Sequence, residues 1–166
     1  MVSTQDKLLL DIQEIETEFS TPTGVNKAVD KVSLNLKKRE TLAIVGESGS
    51  GKSVTALTIL KLIPEPPGKI KGGSINFNGK LLNKCSDKEM RSIRGNDISI
   101  IFQEPMTALN PVLTVGSQIT ETVMRHQNIS LKLAKKRALD MLELVKVPEP
   151  MRRANQYPHQ LSGGMR

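Results

Sequence analysis

The residues of this chain best suited to chemistry run from Gly46 to Ser53, in the stretch TLAIVGESGSGKSVTALTIL. They satisfy G-x-x-x-x-G-K-[ST] and stand between a predicted strand (41–45) and a predicted helix (54–63), the context a phosphate-binding loop requires. The backbone N–H groups of Gly46, Glu47, Ser48, Gly49, Ser50 and Gly51 can wrap a phosphate, because glycine permits close approach and positive φ angles. The dipole and free N–H groups at the start of the following helix add attraction for an anion. Lys52 reaches toward the β- and γ-phosphates of such a ligand, and the Ser53 hydroxyl is placed to bind magnesium.

A second stretch, ISIIFQEPMTALNP (98–111), ends an apolar run on Gln103-Glu104. Two readings stand. It is a degenerate Walker B strand with an amide where the metal-binding Asp belongs, although an amide is a poor substitute for a carboxylate there. Alternatively, Gln103 is a γ-phosphate sensor that touches magnesium and the attacking water. A third stretch, YPHQLSGGMR (157–166), carries a Ser-Gly-Gly turn at 162–164.

The elements that must position these residues read as mixed α/β. KLLLDIQEI (7–15) and VDKVSLNL (29–36) alternate apolar and polar, as half-buried strands do, with turn material at 20–26 and a charged turn at 37–40. TLAIV (41–45) and DISIIF (97–102) read as apolar strands. SINFNGKLL (74–82) carries Asn78-Gly79, the strongest short hairpin signal. A helix over 54–63 meets Pro64, which ends it, and a short helix fits 87–94. Beyond residue 102 the pattern turns helical, with 115–126 and 131–147. The latter sits behind Ser130 as an N-cap, with Leu131, Ala134, Ala138, Met141, Leu142 and Val145 along one stripe, and is ended by Pro148 and Pro150.

Composition bounds the rest. With 166 residues, 37% of them hydrophobic, the chain is long enough to bury a core. Aromatics at 2% argue against a surface built on base stacking. The lone Cys85 excludes an internal disulfide and a cysteine metal site, and points to a reducing compartment. No secretory signal and no membrane-spanning run is visible. Between Arg125 and Arg166 nine Lys/Arg face three acids, most of the net charge of +7. This is a solvated helical face, or a contact with nucleic acid or an anionic membrane surface.

The order and spacing of IVGESGSGKS, IIFQEPMTALNP and YPHQLSGGMR resemble the nucleotide-binding domain of ATP-binding cassette (ABC) transporters, in their Walker A loop, Q-loop and start of the signature motif. The phrasing is most similar to the bacterial oligopeptide/dipeptide importer ATPases, over the whole chain. The resemblance implies an α/β P-loop ATPase core with an N-terminal antiparallel β subdomain and a helical subdomain. Residues 1–103 would hold the β subdomain and the Walker A part of the core, 104–160 the helical subdomain with the Q-loop, and 161–166 the start of the signature. It implies ATP and magnesium as cofactors. Residues 46–53 would bind the phosphates, with Ser53 and Gln103 on the metal and Gln103 also positioning the lytic water. Phe19 would stack on adenine, a buried core Phe being the alternative. Ser162, Gly163 and Gly164 would close on ATP held by a second, head-to-tail ATPase subunit. Further implied partners are transmembrane permease subunits and, indirectly, an extracytoplasmic peptide-binding protein, with no nucleic acid. The location implied is peripheral, at the cytoplasmic face of the bacterial inner membrane. Arg39 departs from the family, which usually has Gly there, and is expected to strain the turn into the Walker A strand.

The family's Walker B Asp, catalytic Glu and switch His have no counterpart in residues 1–166; His126 and His159 do not occupy the switch position. The expectation is therefore a C-terminally truncated cassette lacking the Walker B half of its core, with negligible hydrolysis on its own and an unpaired apolar edge at 41–45. Two other readings are a non-catalytic remnant that docks on the permease, and a non-transport ABC ATPase acting on DNA. The compact gap between Walker A and signature, without heptads or cysteine clusters, speaks against the second.

Overall fold

The computed structural model describes residues 8–102 and 108–165, which divide into two compact units, Met1–Arg94 and Gly95–Arg166. In the first, β1 (Leu8–Thr21) and β2 (Gly24–Lys37) form a long hairpin turning at Pro22 and Thr23. With β3 (Gly68–Phe77) and β4 (Lys80–Leu81) they make an antiparallel sheet of order β2-β1-β3-β4. Both strands expected from alternation are present, and both are longer than the alternation alone indicated.

Strict alternation in β1 would bury positions 12, 14 and 16, but the buried residues are Ile12, Ile15 and Thr17. The pattern slips at a bulge. Glu14 sits at φ 46 and its amide donates to Ser33 Oγ at 2.9 Å. Gly73 of β3 lies opposite at φ 80, where a Cβ would run into the backbone of Gln13 and Glu14. Asn83 braces this spot, donating Nδ2–H to the Gly73 carbonyl at 2.9 Å and accepting from the Ile75 amide at 3.1 Å. Asn78 and Gly79 turn β3 into β4 with positive φ at both positions, as a two-residue hairpin needs.

α1 (Lys52–Ile59) and α2 (Asp87–Ile93) complete this unit, burying Thr55, Thr58, Met90 and Ile93. α1 begins two residues earlier than its apolar spacing suggested, and ends well before Pro64. Arg39 adopts φ 65, the left-handed region that disfavours a side chain, so the expected strain in this turn is present. The Glu40 carboxylate holds the turn, accepting from the Lys37 amide at 2.7 Å.

Two expected strands are not formed. Residues 41–45 pair with no strand among the described residues, and Leu42, Ile44 and Val45 are exposed, Val45 at 88%. In the second unit, 97–102 likewise lies outside any sheet, with Ile101 96% exposed. An apolar run becomes a strand only when a neighbour takes up its N–H and C=O groups, and the bond from the Gly95 amide to the Ile98 carbonyl, at 2.8 Å, closes a local turn and not a sheet.

The second unit is helical: α3 (Val115–His126), α4 (Leu131–Leu144) and α5 (Pro150–Ala154). Thr114 and Ser130 cap α3 and α4, accepting from Ser117 and Leu133 amides at 3.3 and 3.4 Å. The expected helices at 115–126 and 131–147 are thus present, the second ending at Leu144 with Val145 as C-cap. Of the α4 stripe, Ala134, Ala138 and Leu142 are buried, whereas Leu131, Met141 and Val145 are exposed. Val115, Leu142 and Leu161 form the core, joined by Ile119, Val147, Ala154 and Met165. No helix among the described residues is long and apolar enough to cross a membrane.

Candidate functional site

The loop 46–51 runs directly into α1, and glycine is required at its end. Gly51 is the helix N-cap at φ 88, and a Cβ there would collide with the Ala28 carbonyl of β2. The loop is therefore seated against the sheet by a contact only glycine permits. Gly49 is also left-handed, at φ 82, and a Cβ on Gly46 would stand 2.8 Å from Ser50 Oγ.

Lys52 folds back over the loop. Its ammonium donates to the Gly46 carbonyl at 2.8 Å, the Glu47 carbonyl at 2.6 Å and Ser50 Oγ at 3.2 Å, so all three protons are engaged. The Ser50 amide closes the loop on the Glu47 carbonyl at 3.2 Å. The Gly51 carbonyl receives two bonds from Thr55, from its amide at 2.8 Å and its hydroxyl at 2.9 Å.

The start of α1 has no side-chain cap and no acidic residue in its first turn. The amides of its first turn have no intrahelical acceptor. A positive helix end that carries a lysine instead of an acid fits an anion, and these residues suit a nucleotide's phosphates. Ser53 is exposed in the same turn, in position to offer its hydroxyl to a metal beside those phosphates.

Two features that sequence reading missed hold α1 in place. Thr58 Oγ1 donates to the Val54 carbonyl at 2.7 Å and lies 2.9 Å from Thr17 Oγ1. A hydroxyl has one proton, so Thr17 is the donor to Thr58. Both residues are fully buried, which ties α1 to β1 through a satisfied polar pair. The second is Arg94, described below. Neither pair has a local sequence signal, because each joins residues more than thirty positions apart.

Phe19 is half-buried on β1, opposite Asn26 and Gly68. Its Cε1 and Ile63 Cγ2 flank the point where a Gly68 Cβ would lie. On β2, Asn26 is two residues from Ala28, the seat of Gly51. Gln103 lies outside the described residues. Ser162, Gly163 and Gly164 belong to the helical unit, exposed on a short turn after buried Leu161. The Met165 amide donates to the Ser162 carbonyl at 3.0 Å. A Cβ at Gly163 or Gly164 would meet nothing within 4 Å, and neither is left-handed. Nothing described in the chain requires glycine at either position.

The helical unit also carries a groove of 560 Å³ between α3, α4 and α5, with Met124, Leu131, Ala138 and Met151 as its apolar lining and Glu121 and Lys135 among its polar groups.

Solved structures share this arrangement. A dimeric structure of MJ0796, a bacterial ABC transporter cassette, matches 94% of this chain and 64% of its own, with TM-score 0.79 and 29% identity. A second, of the ATP-binding cassette MJ0796 in a post-hydrolysis state bound to ADP and Pi, matches with TM-score 0.78 at 28% identity, over the same shares of the two chains. The fold is that of an ATP-binding cassette. The family model described as ABC transporter matches residues 29–166, and the chain belongs to that family.

Among curated relatives, it is 54% identical over 158 residues to the oligopeptide transport ATP-binding protein OppD of Bacillus subtilis, covering 95% of this chain and 44% of the relative. It is equally identical over 158 residues to the dipeptide transport ATP-binding protein DppD of the same organism, covering 95% of this chain and 47% of the relative. The Escherichia coli DppD is 44% identical over 157 residues, with 95% and 48% covered. The chain thus spans about half the length of the curated relatives it matches.

Proposed function

We propose that this chain is the ATP-binding part of a subunit of a bacterial ABC peptide importer. The observation that carries the reading is the start of α1, where a left-handed glycine seats the loop on β2 and a lysine stands at an uncapped, acid-free helix end. The names of its relatives direct the choice of transported substrate to oligopeptides and dipeptides.

In this reading the loop amides and Lys52 hold the β- and γ-phosphates, and Lys52 exchanges its carbonyl contacts for phosphate oxygens. Ser53, with Gln103, holds magnesium, which neutralises charge on those oxygens when bound. Phe19 offers a ring edge beside the hairpin for the base. The glycines at 163 and 164 leave the 162–164 backbone open to a group outside the chain, as a second subunit's nucleotide would be. The groove on α3, α4 and α5 takes a permease segment, and the basic excess of this unit lies near the anionic cytoplasmic leaflet of the inner membrane.

Residues 1–166 contain no counterpart of the family's catalytic carboxylates, so binding without turnover is the expected behaviour of this stretch. Titration with a fluorescent ATP analogue and magnesium checks the reading. Saturable binding should fall about 100-fold in Lys52→Ala, and phosphate release should equal that of the same variant. Absence of binding in the wild type contradicts the phosphate-loop reading. Turnover well above the Lys52→Ala control contradicts the inactivity.

A further inference from the structure

α1 is only eight residues, so its two ends lie about 12 Å apart and a shift at one is felt at the other. Its last turn carries no basic residue to balance the negative helix end. That charge comes from a residue 34 positions beyond the C-cap Leu60. Arg94 Nε donates to the Leu60 carbonyl at 2.8 Å, and its Nη2 donates to the Lys61 carbonyl at 2.6 Å.

We propose that Arg94 is a positioning residue for the phosphate loop, acting through the C-terminal end of α1; this rests on the reading of that loop as the nucleotide site. The sheet holds α1 at two points, Gly51 against Ala28 and Thr58 against Thr17. Two points leave a rod free to roll about the line that joins them. At the far end the Lys61 ammonium adds a tie to the Cys85 carbonyl at 2.9 Å, and Arg94 adds a two-bond hold from the end of α2. Its planar fork fixes direction as well as distance, which a lysine's single ammonium does not.

Arg94 is itself anchored. Its amide donates to the Met90 carbonyl at 2.9 Å as the C-cap of α2, whose Met90 and Ile93 are buried. The path to the loop therefore starts at this buried last turn of α2 and runs through the guanidinium to α1.

Arg94→Ala, Arg94→Lys and, as a control, Lys61→Ala separate positioning from bulk stability. The Lys61 side chain bonds the Cys85 carbonyl at the same helix end, at 2.9 Å, and its removal leaves in place the backbone carbonyl that the fork uses. Each variant is titrated with magnesium and fluorescent ATP at a temperature where circular dichroism shows it fully folded, and its ¹⁵N-glycine amide spectrum is recorded without nucleotide. Arg94→Ala should bind about tenfold more weakly and shift the Gly49 and Gly51 amides, because the charged bonds at the helix end are lost. Arg94→Lys should recover only part of both, and Lys61→Ala should stay within about twofold of wild type. Binding within twofold of wild type in folded Arg94→Ala, with both amides unmoved, overturns the proposal. Where Arg94→Ala does not fold, an Arg94→Lys protein with wild-type affinity and wild-type amides overturns it equally. If the wild type binds no nucleotide, the phosphate-loop reading falls, while the amide shifts still decide whether Arg94 positions the loop.

Discussion

α1 and α2 belong to the same unit and begin in opposite ways. α2 opens on Ser86, whose hydroxyl accepts the Glu89 amide at 3.4 Å while the Glu89 carboxylate accepts the Ser86 amide at 2.8 Å. Asp87 and Glu89 put negative charge in its first turn. α1 opens on a left-handed glycine with no side-chain cap and no acid, and its first residue is a lysine. The first arrangement fills the helix end with a side-chain cap and negative charge, and the second leaves its amides and its positive end open. α5 also opens without a side-chain cap, but on the acid Glu149 and on Pro150, which has no N–H to satisfy. Among these helices it is therefore α1 whose first turn combines open amides with a lysine, the kind of local inconsistency expected of a site.

The comparison can be broken at either helix. Gly51→Ala should have the largest effect, because the new methyl meets the Ala28 carbonyl and the residue must also hold φ 88. Unfolding in urea should show a loss of about 3 kcal/mol, with nucleotide affinity falling alongside. Ser86→Ala at α2 should cost about 1 kcal/mol and leave nucleotide affinity unchanged, since that helix end serves only the fold. A matching loss of affinity would show that the two helix starts are not separate in function.

The smallest effect is a pH dependence at α2. The bond from the Ser86 amide, then its hydroxyl, then the charge of Lys80 hold Glu89 below the ordinary carboxylate range. A carboxyl depressed in the folded state contributes stability above its unfolded value and loses it as pH falls through the folded one. The stability gap between wild type and Glu89→Gln should therefore close as pH drops below about 4. A gap that stays constant from neutral pH to that range would remove the ionised carboxylate from the account.

What could be read along the chain depended on how local the physics is. The glycine-rich loop running into a helix at Lys52, the Ser130 cap and the Asn78-Gly79 turn each depend on a few adjacent residues, and all three local structures are present. Arg39 was legible as a strained position only against the glycine that the family usually has there, and it adopts φ 65. The bulge at Glu14 was not legible, since it needs Gly73 and Ser33 brought across the sheet. Nor were the Thr17–Thr58 pair and the Arg94 fork, which are long-range by nature. Residues 41–45 and 97–102 were read as strands and form none among the described residues, although the expected unpaired apolar edge at 41–45 is there. Their apolar character signals burial in a sheet, whereas a strand also needs a partner strand.

The account's central claim is that the uncapped start of α1 holds a nucleotide's phosphates while the capped start of α2 is purely structural. The most direct measurement is a backbone amide spectrum of the chain during titration with ATP and magnesium. The claim predicts that the amides of Gly49, Gly51, Lys52 and Ser53 move together and saturate, with Ser86 through Glu89 unmoved. Saturable binding that leaves the Gly49–Ser53 amides in place would contradict it.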